Sequence, residues 1–185
     1  MEKKRCAWCE KDDLYRNYHD NEWGNPVYDD ETIFEFLVLE TFQAGLSWYT
    51  ILAKRENFRA AFDQFDYKKI AAYDDAKMET LKEDAGIIRN GLKIKATVTN
   101  AQAFIKVQEE FGSFSKYIWG FVDGKPIDNN PKHLKEVQAT TEISDKLSKD
   151  LKKRGFKFVG STVVYAHMQA TGMVNDHVED CWKRH

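Results

Sequence analysis

Arg154-Gly155-Phe156-Lys157-Phe158-Val159-Gly160 lies between two segments of helical period. Before it, Ser144 to Arg154 places Leu147 and Leu151 on one face, and after it Ser161 to Thr171 runs on to a stop at Gly172. The two glycines allow a sharp interhelical turn in which backbone amides can approach an anion, with Lys152, Lys153, Arg154 and Lys157 supplying positive charge. The same residues also suit an ordinary interhelical turn with a solvated basic face.

Working outward, every other periodic segment is helical as well. Asp30 is expected to cap a helix from Glu31 to Glu40 that is apolar on nearly every side and therefore central. Ile33, Leu37 and Glu40 share one of its faces, which aims a carboxylate along apolar surface, where it needs a partner. After the Ala44-Gly45 break, Ser47 caps a second helix that continues through Phe58 and Phe62, with Leu46 and Ile51 placed as a hydrophobic staple. Asp66 opens a short helix through Ala72, and Asp75 opens another through Glu83. Ile94, Val98, Ala101 and Ile105 mark a long helix closed by Gly112. Ser113 to Val122 reads as a short helix, and the polar stretch from Asp123 to Thr140 as a loop. No segment alternates like a strand, so the expected architecture is all-α, one domain over residues 1–185 without repeats or linkers.

The composition limits the function. With 42% apolar and 31% charged residues the chain is of globular type, and no stretch reaches the roughly 20 apolar residues of a membrane helix. Met1 to Arg5 is charged but leads into Cys6-Ala7-Trp8-Cys9-Glu10 and not into an apolar signal core, so a cytoplasmic location is expected. The net charge of −2 excludes a protein coated in basic residues, so any nucleic-acid contact must come from local clusters. Nothing in the sequence calls for a second copy, and a monomer is expected. Aromatics make up 14% of the chain, five of them tryptophan, and several crowd into the first fifty residues, which points to a stacking pocket or a dense core.

Three cysteines cannot all pair, which leaves thiols available for metal. His177 and Cys181 stand four apart, one helical face, and Cys6 with His19 can supply a second pair from the other end of the chain. Two thiolates and two imidazoles close a tetrahedral zinc site with no open position, so such a zinc would be structural. A buried thiol with scattered histidines is the plainer alternative, and Cys6-x-x-Cys9 is a rival ligand pair.

Three blocks carry a more specific signal: Tyr18-His19-Asp20-Asn21-Glu22-Trp23-Gly24, Leu39-Glu40 through Gln43-Ala44-Gly45-Leu46-Ser47-Trp48, and Val174-Asn175-Asp176-His177-Val178 through Cys181. Together they closely resemble the 3-methyladenine DNA glycosylase I family, over nearly the whole chain. The resemblance implies a helix-hairpin-helix DNA glycosylase fold in which the hairpin, about residues 144–172, grips DNA through Gly155, Lys157 and Gly160. It implies a structural zinc on Cys6, His19, His177 and Cys181 that ties residues 1–24 to 173–185, Cys9 being additional to that set. It further implies that Glu40 is catalytic and that Trp8, Tyr15, Tyr18, Trp23 and Trp48 surround an extruded base.

The expected partner is double-stranded DNA carrying alkylated purines, and no membrane. The Gln43 to Ser47 loop, with Gly45 and topped by Leu46, is the candidate for entering the gap left by a flipped nucleotide. Relatives of this superfamily that place an aspartate after the hairpin are matched here by Asn175, and those with a Schiff-base lysine by Thr162, so hydrolysis without strand cleavage is expected. A noncatalytic zinc-stabilised DNA-binding module and a hydrolase of free nucleosides are the competing classes; the first does not use a buried glutamate, the second does not use a basic hairpin.

Overall fold

Asp29 and Asp30 divide the capping work at the start of the central helix. In the computed structural model, which describes residues 3–184, helix α2 spans Asp30–Gln43 and is capped by Asp29, whose Oδ1 accepts from the Thr32 amide at 2.8 Å. Asp30, expected as that cap, instead accepts from the amides of Phe114 (2.9 Å) and Ser115 (2.8 Å) and so serves the start of another helix. Met1, Glu2 and His185, and with them the beginning of the charged start, lie outside the described residues.

Before α2 lies α1 (Asp13–Asn21), an element the periodicity did not reveal, capped by Asp12. After it come α3 (Trp48–Ala53), capped by Ser47, and α4 (Arg55–Ala61). The single helix expected from Ser47 through Phe62 is therefore broken at Lys54, and Phe62 closes α4 rather than continuing it. A left-handed turn over Asp63, Gln64 and Phe65 leads to α5 (Tyr67–Ala71), α6 (Asp75–Glu83, capped by Asp74 and not Asp75) and the long α7 (Gly91–Phe111), which Gly112 ends. Helices α8 (Phe114–Trp119), α9 (Glu142–Lys153) and α10 (Ser161–Ala170) complete the set among the described residues.

One correction concerns strand. The stretch from Asp123 to Thr140 contains β1 (Ile127–Asp128), which pairs in parallel with β2 (Val174–Asn175), Ile127 opposite Val174. The architecture is thus mostly helical with one two-rung ladder, and the ladder fixes where the chain runs after α10. The main core gathers Ile33, Phe34, Leu37 and Phe42 of α2 against Phe104 of α7, Phe114 of α8, Leu147 of α9 and Val164 of α10. Burying each such side chain contributes about 1.5–3 kcal/mol. A second cluster of Tyr18, Phe36, Leu52 and Ala170 forms beside it, and this smaller one carries the site. Among the described residues no helix is long and apolar enough to cross a membrane.

Close approach of backbones joins the two ends of the chain. Gly172, at φ +70°, lies so near the Asn25–Pro26 peptide that a Cβ there would stand 2.4 Å from it, and Val27 donates to the Thr171 carbonyl at 3.0 Å.

Candidate active site and metal centre

Helix α1 places Tyr15, Tyr18 and His19 at positions three and four apart, so they share a face that looks toward α2 and α3. With Trp8, Trp23 and Trp48 they build a wall of rings: Trp8 meets Tyr15 at 4.9 Å and Trp23 at 5.0 Å, edge to face, and Tyr18 lies 5.5 Å from Trp48. The wall encloses a cavity of about 260 Å³ lined also by Glu40 and Gln43 of α2, Leu134 and Val137, Ala166 and Gln169 of α10, and Asp176. All six residues expected around a base, Glu40 and the five aromatics, line this one space.

Glu40 is 3% exposed, yet its Oε2 has no hydrogen-bond partner, and neither has the Tyr18 hydroxyl nor the Trp48 indole N–H. An unpaired buried polar group costs about 1–3 kcal/mol, and three of them converge on the same cavity. The partner that the helical pattern demanded for Glu40 is therefore not another side chain. Burial alone pushes its carboxyl group up to about 8. Asp176 is as deep but fully engaged, accepting from the Tyr165 hydroxyl (2.5 Å), Asn129 Nδ2 (2.7 Å) and Gln169 Nε2 (2.9 Å). Its neighbour Asn175 turns its side-chain oxygen to the His177 amide at 3.1 Å.

Behind the rings, Cys6, His19, His177 and Cys181 are all buried, and one ligand atom from each lies within 4.8 Å of every other. Sγ of Cys6 is 3.7 Å and Sγ of Cys181 3.5 Å from His177 Nδ1, and Cys181 Sγ is 3.4 Å from His19 Nε2. A tetrahedral zinc with ordinary bond lengths would set sulfur and nitrogen about 3.6 Å apart. The far nitrogens are already committed, His19 Nδ1 to Asp20 at 2.9 Å and His177 Nε2 to the Trp23 carbonyl at 3.2 Å, which leaves the near ones free to bind a metal. Burial would raise the Asp20 carboxyl, but hydrogen bonds from Arg5, His19 and Trp182 hold it well below the usual carboxylate range. The donor set, the spacing and the second layer of hydrogen bonds all fit a metal ion. Cys9 stands outside this group with its thiol on the Cys6 carbonyl, so the rival Cys6–Cys9 pair is not assembled. The group also buttresses the cavity, since His177 packs against Trp23 at 4.7 Å and His19 against Trp8 at 5.3 Å.

The remaining expected residues lie elsewhere. Gly45 and Leu46 follow α2 outside the cavity lining, with Leu46 40% exposed. The loop they occupy is held by Lys93 of α7, whose Nζ donates to the carbonyls of Phe42 (2.8 Å) and Ala44 (2.6 Å). Gly155, Lys157 and Gly160 sit in the α9–α10 turn, which Asn100 of α7 pins by two bonds to the Lys157 backbone and Ser148 by one to the Val159 carbonyl. Gly155 takes φ +95°, which only glycine adopts freely, and Gly160 caps α10 without any side-chain bond to its first amides. Arg154, expected to add free charge, is instead bound by Glu110 and Asp150, each at 2.7 Å, so the available cations of the turn are Lys152, Lys153 and Lys157. Leu134, Val137, Ala166 and Gln169 were missed as lining. Leu134 and Val137 come from the segment with the weakest pattern, and only the i, i+3 spacing of Ala166 and Gln169 on α10 hinted that those two share a face.

The fold and site define a helical protein with a ring-walled, carboxylate-bearing pocket backed by a cluster of buried cysteines and histidines that could hold a metal. Residues 8–185 match the methyladenine glycosylase family, and the chain belongs to it. It is 50% identical over 178 residues, 96% of this chain and 95% of the other, to DNA-3-methyladenine glycosylase 1 of Escherichia coli (strain K12). A crystal structure of 3-methyladenine DNA glycosylase I superimposes with a TM-score of 0.93 at 49% identity, covering 97% of this chain and 98% of that one. The Staphylococcus aureus 3-methyladenine DNA glycosylase I, solved for its recognition of 3-methyladenine, gives a TM-score of 0.95 at 39% identity, covering 98% and 96%.

Proposed function

We propose that this protein is a monofunctional DNA-3-methyladenine glycosylase, which takes N3-methylated adenine out of duplex DNA into the Glu40 cavity and hydrolyses its N-glycosidic bond, the opening step of base excision repair. The observation that carries this is the unpaired Glu40 carboxyl group among rings, with the Tyr18 hydroxyl and Trp48 N–H unpaired beside it.

Methylation at N3 makes the purine cationic, so the C1′–N9 bond breaks with its electron pair going to the base, which leaves neutral. Water adds to C1′ and gives a proton to solvent. A strong general acid is unnecessary; selection is the harder task. Ring faces attract a cationic base over a neutral one by about 0.5–2 kcal/mol per contact. Glu40, ionised by the approach of that charge, accepts from the adenine edge and stabilises positive charge developing on the sugar. Asn175 provides no carboxylate, which suits a substrate whose leaving group is already good, and Thr162 has no amine for a Schiff base, so the strand stays intact.

Zinc is the metal this reading assigns to Cys6, His19, His177 and Cys181. With four protein ligands it would supply a cross-link and no activated water, clamping segments 1–24 and 173–185 of one glycosylase domain over residues 1–185. The α9–α10 turn then acts as a helix-hairpin-helix clamp: the uncapped amides at the start of α10, with Gly155, Lys157 and Gly160, hold backbone phosphate without reading sequence. Exposed Leu46 beside Gly45 enters the gap left by the flipped nucleotide. The reading carries with it a cytoplasmic monomer acting on double-stranded DNA.

The test is free base released from methylated duplex DNA. Release of 3-methyladenine with the phosphodiester chain unbroken supports the proposal, whereas binding without release, or activity confined to mononucleosides, overturns it.

A further inference from the structure

We infer that Gln169 sets the specificity of the cavity toward the 6-position of the base, favouring a 6-amino over a 6-oxo purine; the inference rests on the base-excision reading above. Gln169 lines the cavity with Glu40 and Asp176. Its Nε2 donates to Asp176 Oδ2 at 2.9 Å, and that carboxylate also accepts from Tyr165 and Asn129. Both oxygens of Asp176 already accept, Oδ2 from the Tyr165 hydroxyl and Oδ1 from Asn129 Nδ2, so the Gln169 amide turns its NH2 to Asp176; the flipped arrangement would set two accepting oxygens against each other at hydrogen-bond distance. The amide oxygen, on the opposite branch of the same plane, is thereby fixed as an acceptor. Among the described residues no protein group donates to it.

The consequence is a cavity in which Gln169 presents a fixed acceptor beside three groups that have no protein partner, the Glu40 carboxyl group, the Tyr18 hydroxyl and the Trp48 N–H. The amino group of adenine has two hydrogens to give. A 6-oxo purine presents lone pairs at the same edge, and a site built to bond N–H groups discriminates strongly against the analogue that lacks them. Asp176 is a positioning residue here: it acts through the orientation of Gln169.

The probes are free 3-methyladenine and 3-methylhypoxanthine, which carry 6-amino and 6-oxo groups respectively, titrated against the full-length protein by quenching of its tryptophan fluorescence. Wild type is expected to prefer 3-methyladenine by roughly tenfold or more, and Gln169→Leu to lose about tenfold of that preference, mainly through weaker 3-methyladenine binding. Asp176→Asn, which frees the amide to turn, should narrow the preference with Gln169 still present. Gln169→Ala serves in place of Gln169→Leu if the latter fails to fold by circular dichroism. A glutamine of purely structural importance would weaken both bases equally, and an unchanged ratio in the variants overturns the inference. A wild type that binds 3-methyladenine without preference overturns it too, leaving the proposed function standing. A wild type that neither binds 3-methyladenine nor releases it from DNA overturns both.

Discussion

At the scale of single residues, Glu40 and Asp176 are equally deep but differently treated: Asp176 has three donors and Glu40 leaves an oxygen bare. Glu40 is raised by burial to about 8, against 4.5 for an ordinary glutamate. Below pH 4.5 both folded and unfolded chains keep the proton, and burial carries no charge. As the pH rises the unfolded chain ionises first, so the folded state loses relative stability up to about pH 8 and no further. Glu40→Gln, neutral throughout, is therefore expected to gain on wild type between pH 4.5 and 8, by at most about 5 kcal/mol, in urea titrations run across that range. Denaturation curves that stay parallel with pH would contradict this. The same variant should release 3-methyladenine at least about a hundredfold more slowly. In wild type kcat/KM should climb about tenfold per pH unit until near 8 and then level, because the ionised carboxylate is the active form.

At the scale of elements, the joints matter more than the helices. Gly172→Ala would drive a Cβ into the Asn25–Pro26 backbone, which cannot move aside as a flexible side chain would, while also straining φ at +70°. A loss exceeding about 3 kcal/mol is expected, measured by chemical denaturation. Lys93→Met removes both bonds to the end of α2; hydrogen bonds from a charged group are worth about 1.5–3 kcal/mol each, so stability should fall and the Leu46 amide, bonded to the Gln43 carbonyl, should exchange faster with solvent. Most helices were legible because capping and the 3.6-residue period are local. The period around α1 is masked by polar residues between Tyr15, Tyr18 and His19, and the break at Lys54 leaves no proline or glycine to mark it. Where two aspartates stood together, at 29–30 and 74–75, either could cap, and the choice fell to geometry outside the local sequence.

At the scale of the molecule, the metal-ligand cluster closes the chain on itself. Cys6→Ser and His177→Ala are each expected to abolish one equivalent of bound zinc, and Cys9→Ser to leave it intact, by metal analysis of purified protein. Chelation should lower Tm by roughly 2–4 °C for each kcal/mol of lost clamp energy. Full metal content in the Cys6 and His177 variants would refute the assignment.

Read alone, the chain determined that its segments are helical, that Glu40 lies on an apolar face, and that His177 and Cys181 share a spacing fit for metal, since each of these follows from neighbours within a turn or two. Only the tertiary structure decided that Cys6 and His19 meet that pair, that Ile127 finds Val174, and that Asp176 fixes the face Gln169 shows to the cavity. Those unions join distant parts of the chain, and their geometry comes from how whole helices pack, which no local pattern encodes.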